Sequence, residues 1–248
     1  MKVDFGAINK ETAPKQIAGR IRESILTGKL GPLEKLPTED ELATLFGVSR
    51  PTIRETLKWL AADNLIEARR GAAGGNFVKQ PTPQDLQSRV SDPLMIAASL
   101  DAFTFEEVVE SRYALGEMCC RLAAESRTEE DIEVLRTEIA TQRHKKLTDV
   151  EFCASDVRFH VGLARATHNT IISVLAAGTI EGLEPITNLM LYRFRARQVL
   201  SDQHESLVER LVGRDADGMA KVLQAQKEYL VEKQVEAKTW RTTRNKST

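Results

Sequence analysis

The sequence predicts a mainly α-helical protein in two parts, a small N-terminal unit of three helices with a two-stranded hairpin and a larger antiparallel all-helical bundle. Three observations predict this. Residues 13–62 hold three short helical patterns, and residues 65–80 hold two extended runs around a tip of small residues. The stretch PTPQD at 81–85 has the composition of a boundary. Beyond it no convincing strand appears, and helical periodicity recurs seven times.

In the first helical pattern, at 13–26, Ile17, Ile21 and Ile25 recur every four residues and give one apolar face; Gly28, Gly31 and Pro32 end it. A short extended piece follows at 33–36. Thr38 with Glu41 three residues on forms a capping box, and Glu39 and Asp40 complement the helix dipole in the first turn. Leu42, Leu45 and Phe46 are the expected buried stripe of this second helix, and Gly47 is placed to take the left-handed conformation that closes it. Ser49 caps the third helix, whose first turn tolerates Pro51.

Two short helices joined by a glycine-containing turn make a helix-turn-helix. In its second helix Ile53, Leu57, Leu60 and Ala61 are expected to face inward, leaving Arg50, Thr52 and Arg54 at the N-terminal end. That end of a recognition helix reaches base edges and phosphates, and either arginine has the fork to pair with guanine or clamp a phosphate. A generic helical hairpin would not need capping box, glycine turn and second cap within a dozen residues. The runs LIEARR and NFVKQ flank GAAGG, which reads as a β-hairpin, the wing of a winged helix, with Arg69 and Arg70 beside the DNA backbone or minor groove. As a phosphate loop GAAGG fails, because no Lys-Ser/Thr follows and no helix opens after it.

Composition agrees with this reading. Of 248 residues, 42% are hydrophobic and 29% charged, as in a water-soluble globular protein. Residues 1–80 carry 13 Lys/Arg against 10 Asp/Glu, while the remainder is acidic. Three cysteines without C-x-x-C spacing, no signal-peptide h-region and no membrane-length apolar run lead to the expectation of a cytoplasmic protein with no membrane association.

The seven further helices are predicted at 85–100, 104–126, 129–146, 150–167, 170–192, 197–212 and 216–238. Asp92-Pro93 and Thr128 with Asp131 are among the punctuation, and Pro185 is expected to kink or split the fifth. Domains are drawn at 1–80 (DNA-binding), 81–85 (linker), 86–240 (the helical unit, whose expected effector-binding and dimerisation role rests on the residues and the resemblance given below) and 241–248 (a polar, frayed tail).

The informative residues of the bundle are polar groups interrupting apolar stripes. Asp156 and His160, four apart, share a face with Phe152, Phe159, Leu163 and Ala166. His204 sits among Leu200, Leu207, Val208 and Leu211; Gln226 among Met219, Val222, Leu223, Tyr229 and Leu230; Arg112 among Val108, Val109, Leu115 and Cys119. Burying any of these without a partner costs about 1–3 kcal/mol, so five on four helices suggest a shared task. Asp and His at i, i+4 with a second His is a ligand set for Zn²⁺, Mn²⁺ or Ni²⁺, and Arg112 suits a ligand carboxylate or phosphate. The plainer reading, Asp156 bonded to His160 and Arg112 in a buried ion pair, stays open here.

LPTEDELATLFGVSRPTIRETLKWLAADNLI followed by RRGAAGGNFV resembles the winged helix-turn-helix of the GntR family of bacterial transcription regulators. The resemblance implies DNA contacts from Ser49, Arg50, Thr52, Arg54, Arg70 and Gly71. Asp40 departs from it, standing where many members carry a basic or uncharged residue near the phosphates. DVRFHVGLARATHN, QHESLVERL and ESRYALGEMCCRLAAES resemble the C-terminal FCD domain of the FadR branch. That resemblance implies a divalent metal on Asp156, His160 and His204, with Gln226 where a third His usually stands. An amide is a poor metal ligand, so a metal-bound pocket and a metal-free one for an acyl or other bulky ligand both follow. The expectation is a homodimeric, effector-responsive regulator on a palindromic double-stranded operator, most simply a repressor. Its effector is a small carboxylate met by Arg112 and Gln226. An enzyme is not expected: no carboxylate base stands beside the histidines, and there is no H-E-x-x-H and no nucleophile with an adjacent base.

Overall fold

The computed structural model describes residues 12–71, 73–191 and 196–245. The chain divides into two compact units, Met1–Thr82 and Pro83–Thr248.

In the first unit α1 (Ala13–Leu26), α2 (Glu39–Phe46) and α3 (Arg50–Ala62) precede the antiparallel pair β1 (Ile66–Arg69) and β2 (Gly75–Val78), in register Ile66 opposite Val78 and Arg69 opposite Gly75. The extended segment before α2 adds a third, short edge: Leu36 N–H donates to Asn76 O at 2.8 Å and Val78 N–H to Glu34 O at 2.8 Å. The caps are as the sequence dictates. Thr38 and Glu41 close a capping box, Gly47 is left-handed at φ 64°, and the Ser49 hydroxyl accepts from Thr52 N–H. Ile17, Ile21, Leu36, Leu42, Ile53, Leu57, Leu60, Ile66 and Val78 form the core.

Two expected core residues lie outside it. Leu45 is 70% exposed and Ala61 is exposed. At about 100° per residue, α2 buries the arc of Leu42, Phe46 and Ala43, and Leu45 falls past its edge. In α3 the buried arc is rotated toward Thr56, which is fully buried and donates to Thr52 O at 2.9 Å, so Ala61 turns outward.

The second unit contains α4 (Pro83–Ser99), α5 (Phe105–Ser126), α6 (Glu129–Gln142), α7 (Asp149–Arg165), α8 (Thr170–Leu191), α9 (Arg197–Val212) and α10 (Ala216–Asn245). Helix α4 starts at Pro83, so three residues read as linker are helical, and it runs through Pro93 without interruption. Helix α8 is continuous to Leu191 through Pro185, where a kink or a split was expected; it is not split. Helix α10 reaches Asn245, beyond the expected start of a frayed tail, and 246–248 lie outside the described residues. Capping boxes at Thr104–Glu107, Thr128–Asp131 and Thr148–Glu151 start α5, α6 and α7.

Helix α7 packs between α6 and α8, α10 rests on α5 and α9, and α4 lies along α8. The last contact is a close one. A Cβ built on Gly178 would meet Val90 Cβ at 2.6 Å and Gln87 O at 3.0 Å; one on Gly182 would meet Ser91 O at 2.8 Å. Those two glycines let α8 accept the backbone of α4. Phe159, Ile132, Leu135, Leu207, Leu211 and Met219 are the largest apolar side chains at the centre. No helix among the described residues is long and apolar enough to cross a membrane.

Candidate functional site

The helix-turn-helix presents Ser49, Arg50 and Arg54 as exposed residues, with Thr52 half-buried; on the wing Arg70 and Gly71 are exposed. Capping commits Ser49 and Thr52 to each other: their hydroxyl oxygens are 2.8 Å apart. Gly71 holds φ at 105°, which any side chain would strain. Ala72, in the expected wing tip, lies outside the described residues.

The arginines of this face are held by the chain's own carboxylates. Arg54 donates through Nε to Glu39 Oε2 at 3.0 Å and pairs with it again through Nη2 at 3.0 Å. Arg50 Nε lies 2.5 Å from Asp40 Oδ1. On the wing Arg69 donates to Glu67 at 2.8 Å, with its guanidinium 4.5 Å from the centre of the Phe77 ring. Sequence reasoning assigned Glu39 and Asp40 to the helix dipole and marked Asp40 as a departure near the phosphates, but it did not find their arginine partners, which are 15 and 10 residues away on another helix.

Inside the second unit, α5, α7 and α9 bring four of the five polar candidates together. One ligand atom each from Asp156, His160 and His204 lies within 4.8 Å of the others. His204 Nε2 is 3.4 Å from Asp156 Oδ1, His160 Nε2 is 3.9 Å from the same oxygen, and Arg112 Nη2 is 3.7 Å from Asp156 Oδ2. These side chains are at most 9% exposed. The imidazole of His204 stacks on Phe159 at 4.1 Å and stands edge-on to His160 at 5.2 Å. Arg112 lies over Tyr113 at 4.8 Å.

Gln226 occupies α10, buried to 2%, one turn from Leu223 and Leu230, which share a core cluster with Phe159 and Leu207. Neither amide atom of Gln226 has a hydrogen-bond partner among the described residues. A buried amide with both valences open is costly by about 1–3 kcal/mol, and it suits a polar ligand of the bundle rather than apolar packing.

One residue of the cluster escaped the sequence reading. Gln142, the last residue of α6, is buried, and its Oε1 lies 2.8 Å from His204 Nδ1. Its position in the polar run TQRHKK resembles an ordinary helix end, and only tertiary folding brings it to α9. The donor set fits a divalent metal on its own chemistry. One carboxylate and two imidazoles converge in a buried site, and the second nitrogen of one imidazole has a hydrogen-bond partner. His168 pairs with Asp131 at 2.7 Å on the α6 cap and is not part of the Asp156–His160–His204 group. Burial pushes the Cys119 thiol up to about 11 and the Cys120 thiol higher still, which disfavours a thiolate at these two positions.

A winged helix-turn-helix joined to a helical unit with a buried polar cluster is the architecture of a transcription regulator. Residues 14–74 match the family described as bacterial regulatory proteins, gntR family, and residues 107–226 match the FCD domain. The chain belongs to the GntR family of bacterial transcription regulators and carries an FCD domain; it is not an enzyme. It is 29% identical over 220 residues, 85% of this chain and 81% of the relative, to an Escherichia coli K12 protein provisionally named L-lactate dehydrogenase operon regulatory protein. It is 27% identical over 215 residues, 87% of this chain and 86% of the relative, to the uncharacterized HTH-type transcriptional regulator YcbG of Bacillus subtilis 168. A solved structure named Streptococcus agalactiae GntR shares the fold at TM-score 0.54 and 20% identity, over 88% of this chain and 98% of that one.

Proposed function

We propose that this regulator is a ligand-operated switch. It binds a palindromic operator as a homodimer through Ser49, Arg50, Thr52, Arg54, Arg70 and Gly71, and it releases the operator when a small carboxylate occupies the helical unit. The observation that carries the effector half is the convergence of Asp156, His160, His204 and Arg112 in one buried cluster.

In this reading Asp156, His160 and His204 hold a divalent cation, Zn²⁺, Mn²⁺ or Ni²⁺, which when bound supplies a Lewis-acidic anchor for a carboxylate. Gln142 accepts a hydrogen bond from His204 Nδ1–H, and this leaves Nε2 with its lone pair toward Asp156. Arg112 neutralises Asp156 and pairs with the carboxylate of the effector. Gln226 uses its open amide valences on the effector's polar end. Coupling is linkage: an effector preferring the free dimer weakens operator affinity by the ratio of its two affinities.

The test is thermal unfolding of the full chain after treatment with chelator, titrated first with each metal and then with a panel of small carboxylates. A true ligand stabilises by mass action, about 2.7 kcal/mol at a hundred times its Kd. Metal followed by one carboxylate class should raise the melting temperature. Arg112→Ala should keep duplex binding and lose the carboxylate shift. An unchanged carboxylate response in Arg112→Ala would move the pocket elsewhere.

A further inference from the structure

The DNA face sets two carboxylates beside the arginines that begin its recognition helix. Glu39 and Asp40 open α2, and each holds one of the two arginines that begin the recognition helix. Binding to duplex DNA irrespective of sequence comes almost entirely from exchanging condensed counterions for protein cations at phosphates. An arginine already paired with its own carboxylate gains little from that exchange, since it gives up one anion to take another. A base edge is different. Arg50 meets Asp40 through Nε, and no other partner of its guanidinium is found among the described residues. The two terminal nitrogens are the fork that matches O6 and N7 of guanine.

We propose that Asp40 is a specificity-determining residue: its carboxylate neutralises Arg50 against phosphate while steadying the guanidinium for a base edge. Glu39 likewise neutralises Arg54, but its grip takes Nε and one terminal nitrogen, Nη2, so the open fork belongs to Arg50. The pairs lower affinity for DNA at large more than affinity for the correct operator. Both carboxylates belong to the first turn of α2, but the turn does not depend on them, because Thr38 and Glu41 complete its cap. The inference rests on the DNA contacts proposed above for Arg50 and Arg54.

The experiment uses the full chain and two duplexes. One is enriched by the wild type from a randomised pool; the other is a scramble of equal length and composition. Binding is measured by fluorescence anisotropy across a salt series for wild type, Asp40→Asn and Asp40→Glu. Asp40→Asn should tighten binding to the scrambled duplex about two- to fivefold, the range spanned by an exposed ion pair. It should steepen the salt dependence of that binding by about one counterion. The enriched duplex should gain nothing, so the ratio of affinities falls, and Asp40→Glu should restore it. An unchanged ratio, or equal gains on both duplexes, would overturn the proposal. A wild type that enriches no sequence would overturn the DNA reading itself, and it is distinguished by showing no preference before any substitution is made.

Discussion

In the proposed metal site, Gln142 sets which nitrogen of His204 faces the ion. An imidazole whose Nδ1–H is fixed on an amide oxygen presents Nε2 as its ligand atom, and such outer partners typically account for ten- to a hundredfold in metal affinity. Gln142→Leu should therefore weaken Zn²⁺ binding by about that factor in a chelator competition, with the helical content unchanged. Affinity equal to wild type would show that His204 needs no anchor. This residue also marks the limit of what single positions reveal in sequence. Asp156, His160 and His204 were legible because each interrupts an apolar stripe. Gln142 closes a helix amid polar neighbours, and Glu39 and Asp40 look like ordinary first-turn acids. Their partners lie on other helices, which periodicity does not report.

At the scale of elements, the helix starts were the most legible feature, because a cap is a local interaction written within four residues. Buried arcs were less so: Leu45 and Ala61 sit one position past the edge of their arcs, and the rotation is set by the neighbouring helix. The caps carry a pH signature. Glu41, Glu107 and Glu151 are held below the usual glutamate range. The main cause is the backbone N–H of Thr38 and Thr104 for the first two, and the hydroxyl of Thr148 for the third. A depressed folded value means stability present above the unfolded value of about 4.3 and lost as pH falls through the folded ones. Glu107→Gln should thus lower stability at pH 7 and flatten its decline between pH 5 and 3, measured by urea unfolding. A decline as steep as wild type would remove this cap from the account.

The seam between α4 and α8 gives a second element-scale prediction. Replacing a helical glycine by alanine ordinarily stabilises by about 1 kcal/mol. At Gly178 the new methyl meets Val90 and the carbonyl of Gln87, so Gly178→Ala should instead destabilise by about 1–3 kcal/mol. A stabilised variant would show that α4 yields easily.

For the whole molecule, the two-part architecture was readable because the boundary stretch is followed by an uninterrupted change of pattern from mixed to helical. A single helix across Pro93 was readable, whereas at Pro185 a kink or a split was expected and α8 is continuous. Proline removes one helical hydrogen bond, and α8 keeps its course packed on α4, α7 and α5. The regulatory logic belongs to this scale too, since an effector acts only through its differential affinity for two global states.

The glycine seam has a mechanical consequence. Two helices whose backbones interlock cannot slide along one another without first being lifted apart, because packed surfaces offer discrete seats rather than a continuous track. Helix α4 is also the first element the chain enters on leaving the DNA-binding unit at Thr82. A displacement of α8 within the helical unit would therefore take α4 with it, by tilt or rotation rather than by a slip along the seam.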